Sequence, residues 1–438
     1  MMETKNNAYR DVYIVDGART PFLKARGKPG TLSASDMAVQ AGRELLARQA
    51  FSPKDLGEVV LGCMMPSPEE ANIARVVALR LGCGDAMPAF TVQRNCASGM
   101  QAIDDAVKDI ASGRHELVLA GGTEAMSRAP LLFNNKMVNW LAGMWASKSM
   151  GDKVKQIMKF RPDFLAPVVA LLKGLTDATI NLNMGQTAEI LAHRFHITRE
   201  QMDAFALESH MRVAKAEDQH YFNDVFPAYS SKGDYYLTDD GLRRDTTMQK
   251  LATLKPIFDK KFGSVTAGNS SQVTDGAALL LLASADAVKK YKLPVLAKIT
   301  DVAWAGLDPA EMGLGPVYAS SQLMQKYNLN LDDIDFWEIN EAFAAQVLAC
   351  LAAFESEDYC RHYLGFDRAV GRIDINKLNI DGGAIALGHP VGASGARIVL
   401  RMMNILHRTG AKRGMASICI GGGQGGAMLI ENISGVGV

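Results

Sequence analysis

The 438-residue sequence has no excess of either charge, because Lys and Arg together number 47 and so do Asp and Glu. A formally neutral chain has no long-range field that would attract nucleic acid or a membrane. We therefore expect no nucleic-acid partner, and any basic site must be local. No stretch reaches the ~18 uninterrupted apolar residues that a spanning helix needs, which excludes an integral membrane protein.

The six cysteines include no CxxC pair, the spacing typical of zinc ribbons and dithiol redox sites. A signal-peptide pattern is also missing from the first residues. We therefore expect reduced thiols, no metal site and a cytoplasmic location. Neither GxGxxG with a ribose-binding acid nor GxxxxGK[ST] occurs between a strand and a helix, so nucleotide binding through such loops is weakly supported.

Short apolar runs rich in β-branched residues alternate with helical patterns, which predicts an α/β fold. The segment NCASGMQAIDDAVKDI followed by LVLAGG resembles GHPVGASGARIVLRMMNIL followed by ASICIGGG. This similarity predicts an internal duplication, although two α/β halves can look alike by chance. The predicted strands are residues 12–18, 59–65, 117–122, 294–306, 334–340 and 415–423.

A change of composition predicts a loop domain over residues 125–260, with a helical stretch at 186–218. It interrupts an N-terminal half made of residues 1–124 and 261–293. Residues 294–438 then form the C-terminal half.

Within the predicted loop domain, residues 130–175 carry seven positive and two negative side chains. Apolar and interfacial side chains lie beside the lysines, a mixture typical of a helix that rests on a surface. We predict that this segment docks on a partner or an anionic membrane face and helps to admit long acyl chains. The alternative is that the apolar groups pack on the core while the lysines face water. The side chains concerned are Trp140, Met144, Trp145, Met150, Ile157 and Met158.

The stretch QRNCASGMQ places Cys96 among small residues, just before apolar residues that recur at helical spacing from Met100 to Ile110. A helix should therefore begin close to Cys96. Its N-terminal dipole would favour a thiolate and lower the pKa of the thiol. The alternative is a small buried hydrophobic side chain, since free cysteines are often buried.

Four other stretches share this small-residue, glycine-rich character: VTAGNSSQVTDGAA at 265–278, NEAFAAQ at 340–346, GGAIALGHPVGASGARI at 382–398 and CIGGGQGGA at 419–427. His389 lies on a constrained turn between Gly388 and Pro390, where it could be a base or simply cap the turn. Cys419 leads into glycines with accessible N–H groups, or else fills a core strand.

Taken in order, these stretches and GGTEAMS resemble the motifs of the thiolase family, from about Val12 to the C-terminus. The resemblance implies a thiolase-like duplicated, five-layered α-β-α-β-α core with an inserted loop domain. It also implies acyl-CoA and coenzyme A (CoA) as substrates, with no tightly bound cofactor. The activity would be reversible cleavage of a 3-ketoacyl-CoA by CoA.

Catalytic roles carry over to matching positions. Cys96 would be the nucleophile that becomes acylated, with its small neighbours leaving room for substrate. His389 would take the thiol proton and donate to the thioester oxygen, while Cys419, with a pKa near working pH, would exchange the α-proton. Asn340 would fix a water in one oxyanion site, and the N–H of Gly421 would pair with that of Cys96 in the other.

The resemblance also implies a set of CoA contacts. For Arg243, expected near the adenine, the adjacent Arg244 leaves the match open. The implied contacts are Met184, Arg243, Phe258, Ala267, Ser271, Ala342 and Phe343.

The sequence departs from the family pattern in several places. Asn183 stands where short-chain members usually carry histidine, which puts a dedicated acetoacetyl-CoA role in doubt. The insertion at 130–175 resembles the loop of thiolase subunits from trifunctional β-oxidation complexes, which predicts a hydratase–dehydrogenase partner. Those subunits often have His-Glu-Ala-Phe, however, where this chain has NEAF.

These features favour a β-oxidation thiolase that forms a homodimer or homotetramer. A biosynthetic acetyl-CoA acetyltransferase and a non-catalytic lipid carrier remain alternatives. A ketoacyl-ACP synthase is disfavoured by CIGGGQGG, because such enzymes usually place two histidines beside the cysteine.

Overall fold

The computed structural model describes residues 10–433. The six predicted strands are present, although several end earlier than the apolar runs do, whereas the long strands at residues 274–283 and 424–431 were not predicted. The strands are β1 Val12–Arg19, β2 Leu23–Lys24, β3 Glu58–Gly62, β4 Ala89–Val92, β5 Leu117–Ala125, β6 Leu131–Leu132, β7 Val168–Val169, β8 Ala228–Tyr229, β9 Tyr235–Tyr236, β10 Thr274–Ala283, β11 Ala297–Gly306, β12 Phe336–Ile339, β13 Arg413–Ile420 and β14 Gln424–Glu431.

Helices separate the strands in both halves, as an α/β alternation requires. The helices are α1 Ala34–Ala47, α2 Ile73–Arg80, α3 Ser98–Ala111, α4 Asn135–Ala146, α5 Met150–Met158, α6 Ala170–Gly174, α7 Met184–Arg194, α8 Arg199–Asp218, α9 Met248–Ala252, α10 Ala285–Tyr291, α11 Gly315–Lys326, α12 Ala344–Glu355, α13 Glu357–Tyr359, α14 Ala384–Leu387 and α15 Val391–Thr409.

The strand order shows the duplication. From β1 outward the order is β10, β5, β3 and β4, with two antiparallel pairings followed by two parallel ones. From β11 outward the order is β14, β13 and β12, with the same sequence of pairings, and a parallel bridge from Trp337 to Leu378 stands where the fifth strand would be. Strands β1 and β11 pair antiparallel, so the two halves share one hydrogen-bonded sheet.

Each half of the sheet is one β layer, and apolar residues cover both of its faces. The two β layers share the central helices, and further helices cover their outer faces, which gives five layers. In β10, Leu280 and Leu282 face the core formed with α3 and α15, whereas Leu279 and Leu281 face the core formed with α1 and α2. On the other half, Leu429 of β14 faces the core formed with α11 and α12. The duplicated α-β-α-β-α architecture is thus confirmed, with α3 and α15 in the central layer.

The expected single helical stretch at 186–218 is wrong in one detail. The chain forms two helices, α7 and α8, because His196 adopts a left-handed φ of 53° and Thr198 caps the second helix. Thr198 accepts the N–H of Gln201, whose side chain in turn accepts the N–H of Thr198. Such a capping box is a strong helix start.

Residues 125–260 contain α4 to α9 and β6 to β9, between the two parts of the N-terminal half. The exact domain boundaries stay a prediction. Within residues 10–433, no helix is both long enough and apolar enough to cross a membrane.

Candidate active site

A cavity of about 750 Å³ opens between the two halves and the inserted region. It brings together Cys96 and Cys419, which are 323 positions apart in the chain, and it is also lined by His389. All seven residues predicted to contact CoA line the same cavity. Asn340 and Gly421 do not line the cavity, but each lies two residues along the chain from a residue that does, namely Ala342 and Cys419.

Cys96 lies on a tight turn two residues before the first residue of α3. Asn95 adopts a left-handed φ of 44°, which asparagine tolerates better than most residues. The side chain of Ser98 holds this turn, because its Oγ accepts the N–H of Arg94 at 2.9 Å and donates to the carbonyl of Asn95 at 2.7 Å. The helix start predicted near Cys96 is therefore confirmed.

The small residues after Cys96 serve helix packing, which corrects the expectation that they leave room for substrate. Ala97 and Ser98 are fully buried and do not line the cavity. A Cβ on Gly99 would lie 2.8 Å from the carbonyl oxygen of Gly392 and 3.1 Å from the Cβ of Ala396. The missing side chain thus lets α3 and α15 approach closely, and this contact sets Cys96 beside His389.

The expectation of a lowered pKa for Cys96 is wrong. Burial raises the pKa of the thiol to about 11, and the nearby N–H groups of Gly421 and of Cys96 itself only partly oppose this. The dipole and N–H groups at the start of the helix are present, but desolvation of a thiolate outweighs them. Cys96 is therefore a thiol near neutral pH and needs a base.

His389 has the protonation state of such a base. Its Nδ1 lies 2.6 Å from Oγ of Ser394, whose hydroxyl proton is directed to the carbonyl of Pro390 at 3.1 Å. This pattern assigns the ring proton to Nδ1 and leaves a lone pair on Nε2. Nε2 is buried without a hydrogen-bond partner. Burial, aided by the charge of Arg397, lowers the pKa of His389 to about 3.

Asn340 is held by a buried ion pair. Arg397 contacts Glu338 at 2.5 Å, and its other terminal nitrogen donates to Oδ1 of Asn340 at 3.2 Å. Because Oδ1 is engaged, Nδ2 is the free group of the amide, and it is buried without a partner. An N–H donor in this state fits the predicted role of binding a water or an oxyanion.

Cys419 lies near the end of β13 and is fully buried. Burial raises its pKa well above the usual value, and neighbouring Cys96 and Cys350 raise it further. The expected pKa of Cys419 near working pH is therefore wrong. Beyond Cys419, the carbonyl of Gly421 accepts the side-chain N–H of Asn95 at 2.7 Å, which joins the turn carrying Cys96 to the glycine loop.

The outer part of the cavity contains the residues predicted to contact CoA. Phe258 and Phe343 meet edge to face with ring centroids 5.7 Å apart, which gives this wall an apolar surface. The two adjacent arginines differ in their surroundings. Arg244 pairs with Glu217 and Asp218, both at 2.9 Å, whereas Arg243 lines the cavity.

Sequence reasoning missed several residues that line the cavity. Leu171, Leu172 and Leu175 belong to segment 130–175, which was expected to help admit long acyl chains, but these three leucines were not named. Lys24 carried no sequence signal, because it lies on a short edge strand far from the recognised motifs. Met126 belongs to the GGTEAMS stretch, so that motif could have pointed to it.

Glu124, in the same GGTEAMS stretch, was also missed. Its buried carboxylate accepts the N–H groups of Met64 at 2.8 Å and Gly392 at 3.1 Å. It thereby ties the loop after β3 to the first turn of α15, the helix that follows His389.

Comparison with known families agrees with this geometry. The family model described as thiolase, N-terminal domain, matches residues 12–286, and that described as thiolase, C-terminal domain, matches residues 293–432. Together they span both halves of the duplicated core and the inserted region.

Individual relatives match over nearly the whole chain. The bovine mitochondrial trifunctional enzyme subunit beta is 37% identical over 96% of this chain and 88% of its own length. A 3-ketoacyl-CoA thiolase of Yersinia pestis is 36% identical over 96% of both chains. A crystal structure of human mitochondrial 3-ketoacyl-CoA thiolase in complex with CoA has a TM-score of 0.83 and 37% identity, and covers 97% of this chain and 98% of its own. The chain belongs to the thiolase family.

Proposed function

We propose that this protein catalyses the CoA-dependent cleavage of a 3-ketoacyl-CoA into acetyl-CoA and a shortened acyl-CoA, as a step of fatty-acid β-oxidation. The observation that carries the proposal is the set of three reactive side chains in one cavity. A thiol, an imidazole with a free lone pair and a second thiol line it together with an apolar wall suited to a pantetheine chain.

The first half-reaction forms an acyl-enzyme. Nε2 of His389 takes the proton of Cys96, and the sulfur attacks the ketone carbon of the substrate. The bond between the α-carbon and this carbon then breaks. The α-carbon takes a proton from Cys419, so that acetyl-CoA leaves and the remaining acyl group is a thioester on Cys96.

The second half-reaction restores the enzyme. The thiol of CoA gives its proton to the thiolate of Cys419 and attacks the thioester. The sulfur of Cys96 leaves and recovers the proton held by His389. No group ends with a net gain or loss of a proton. The N–H groups of Cys96 and Gly421 would stabilise the oxyanion of each tetrahedral intermediate.

The raised pKa of Cys96 and the lowered pKa of His389 are compatible with this sequence. Neither group is charged near neutral pH, and an ion pair forms only when the proton moves. The desolvated site then strengthens each hydrogen bond to the developing oxyanion.

Loss of the enolate absorbance of a 3-ketoacyl-CoA after addition of CoA tests the proposed cleavage. A non-catalytic lipid carrier would bind acyl-CoA and leave the absorbance unchanged. A biosynthetic acetyl-CoA acetyltransferase would turn over acetoacetyl-CoA and fail with longer 3-ketoacyl chains. Activity that extends to long chains supports the β-oxidation role.

We also propose a homodimer or a homotetramer, because β4 is an edge strand of the sheet and leads directly into the turn that carries Cys96. A two-fold partner on this edge would brace that turn. Light scattering should give at least twice the 47.3 kDa of one chain. A single-chain mass at assay concentration would contradict this proposal. The cytoplasmic location stays a prediction.

Segment 130–175 supports a second proposal, that it docks on an anionic membrane surface. Helices α4 and α5 pack on each other through paired hydrogen bonds between Trp140 and Gln156, and neither helix contains a fully buried residue. Trp145 is 91% exposed, Met158 79% and Met150 76%. These three side chains are too exposed to pack on the core, as the alternative would require. Exposed apolar groups beside lysines are typical of an interfacial segment.

Replacing Lys153, Lys155 and Lys159 with Glu tests the membrane proposal. We expect wild-type protein to bind vesicles of phosphatidylcholine and phosphatidylserine at low salt and the triple variant to lose this binding. Turnover of short substrates should not change. The matched control replaces three lysines of or just after α10, namely Lys289, Lys290 and Lys292.

Equal binding of the wild-type protein to neutral phosphatidylcholine vesicles, or no binding to either, would contradict the membrane proposal. Binding to a hydratase–dehydrogenase subunit instead would show that the surface serves a protein partner, as the similarity to a trifunctional enzyme subunit suggests.

A further inference from the structure

Glu124 is a fully buried acid near the end of β5, and within residues 10–433 it forms no ion pair. A buried carboxylate without a counterion persists only when its oxygens are fully hydrogen-bonded. Four donors meet this need. Oε2 accepts the N–H of Met64 at 2.8 Å and that of Gly392 at 3.1 Å. Oε1 accepts the N–H of Met65 at 3.1 Å and the thiol proton of Cys63 at 3.4 Å.

These four donors favour the ionised form of Glu124. Burial raises the pKa of this carboxyl, and the hydrogen bonds from its four partners lower it in opposition. A protonated acid would direct its own O–H toward one of the donors and leave that donor without an acceptor. We therefore treat the side chain as a buried anion near neutral pH.

On one side, Glu124 holds the start of α15. The N-cap of this helix is Pro390, which provides no capping side chain, so the N–H of Gly392 in the first turn has no acceptor within the helix. Glu124 supplies the acceptor from β5. The close approach requires glycine, because a Cβ on Gly392 would lie 2.8 Å from Oε2. The same turn carries Ser394, whose Oγ lies 2.6 Å from Nδ1 of His389.

On the other side, Glu124 holds the loop that follows β3. In this loop the N–H of Cys63 donates to the carbonyl of Val92, the last residue of β4, at 3.2 Å. Strand β4 leads into the turn that carries Cys96. One carboxylate thus joins the backbone next to the nucleophile to the backbone next to the base.

We propose that Glu124 is a positioning residue that fixes His389 against Cys96. Glu124 lies outside the lining of the active-site cavity, so it acts through the two backbone segments that it joins. The inference rests on the proposed function, in which Nε2 of His389 takes the proton of Cys96. Such a transfer requires the two groups to come within hydrogen-bond distance.

Glu124 can affect Cys96 in two ways, and they have opposite signs. Burial is the main cause of the raised pKa of Cys96, and the charge of Glu124 raises it further. Removing this charge alone would therefore favour the thiolate and speed up the alkylation of Cys96. Displacing His389 would instead remove the base and slow the alkylation.

Alkylation of Cys96 by iodoacetamide near pH 7, followed by peptide mass spectrometry, separates the two effects without any substrate. Glu124→Gln keeps the side-chain volume but replaces one acceptor oxygen with an N–H donor. We expect it to slow alkylation about tenfold and to lower kcat for cleavage by up to ~10²-fold, the usual effect of a displaced catalytic group. The KM for CoA should stay unchanged. An alkylation rate equal to or above that of wild type overturns the proposal.

A double-mutant cycle shows whether Glu124 acts through His389. We expect His389→Ala to slow alkylation roughly 10²-fold, as loss of a general base does. Glu124→Gln should have no further effect in that background, because the base that it positions is gone. Fully additive effects overturn the proposal, since they would mean a general distortion of the site.

Asp335→Asn is the matched control. Asp335 also accepts two backbone N–H groups, those of Lys412 at 2.8 Å and Arg413 at 2.9 Å. It precedes β12, whereas Asn340 follows this strand. The control should be alkylated at the wild-type rate with an unchanged kcat. Equal slowing in the control and in Glu124→Gln overturns the proposal.

Two further results keep the test decisive. If Glu124→Gln does not fold, Glu124→Asp replaces it. Its shorter side chain cannot reach both backbone segments, so slow alkylation is again expected, and a wild-type rate overturns the proposal. Wild-type protein that is alkylated at Cys96 but cleaves no 3-ketoacyl-CoA would refute the proposed function, while the alkylation rates would still decide the role of Glu124.

Discussion

The starts of α3 and α15 are equivalent places in the two halves of this molecule, yet they carry different chemistry. Cys96 lies two residues before the first residue of α3, and His389 lies two residues before the first residue of α15. The helices follow the same position in the two strand orders and pack side by side in the central layer. Duplication thus supplied two matched positions that face one cavity.

The backbone of each turn is special in a different way. The turn before α3 passes through Asn95 with a φ of 44°, and the turn before α15 passes through Gly388 with a φ of 106°. A Cβ on Gly388 would lie 2.3 Å from the side chain of Thr274, so only glycine fits there. The two equivalent turns can therefore hold a nucleophile and a base, because each turn has its own backbone conformation.

The largest expected effect is the loss of the nucleophile from the turn before α3. We expect Cys96→Ser to lower kcat by at least ~10⁴-fold with an unchanged melting temperature, because a serine hydroxyl is a far poorer nucleophile than a thiolate. Mass spectrometry after mixing wild-type protein with acyl-CoA should find the acyl group on the peptide that contains Cys96. Label found only on the Cys419 peptide would reverse the assignment.

Cys419→Ala should divide the reaction into its two chemical parts. The variant should still form an acyl-enzyme from a simple acyl-CoA, yet cleave 3-ketoacyl-CoA roughly 10²–10⁴-fold more slowly, because only the proton transfer at the α-carbon is lost. Rapid-quench measurement of acylation beside steady-state cleavage checks this. Equal loss of both activities would contradict the separate role.

The close packing of the two helices can be tested with one methyl group. Gly99→Ala should lower the free energy of unfolding by about 1–3 kcal/mol, because the Cβ would meet the backbone of Gly392. Gly151→Ala on α5 is the matched control, since the nearest atom to its Cβ would be 3.8 Å away. Chemical denaturation should find this control unchanged or slightly more stable. Similar losses in both variants would refute the packing argument.

A smaller effect is expected from buried His389, on the way the free energy of unfolding changes with pH. The folded pKa of His389 is about 3 and its unfolded value is about 6.5, so only the unfolded chain takes up a proton between these values. The stability contributed by neutral His389 is complete above pH 6.5 and is lost as the pH falls toward 3. Wild-type protein should therefore lose about 2 kcal/mol more than His389→Gln between pH 7 and pH 5. Equal losses in denaturant titrations would contradict a buried neutral imidazole.

Local pattern was sufficient for much of the fold. Short apolar runs rich in β-branched residues identified β1, β3, β5, β11, β12 and β13, whereas β10 and β14 were missed. The spacing from Met100 to Ile110 predicted α3. The break between α7 and α8 was missed, because one left-handed residue at His196 interrupts a helical pattern without changing its composition. The family resemblance, which rests on the order of the quoted motifs, also named ten residues that line the cavity.

The sequence by itself determined which elements form, which residues carry the chemistry and which family the chain belongs to, because these depend on neighbours along the chain and on motif order. Only the tertiary structure decided the protonation states and the partners. The raised pKa of Cys96 and the lowered pKa of His389 come from desolvation, and burial is set by residues hundreds of positions away. For the same reason Lys24 could not be singled out in advance, because its place on the cavity wall depends on the pairing of β2 with the distant strand β10.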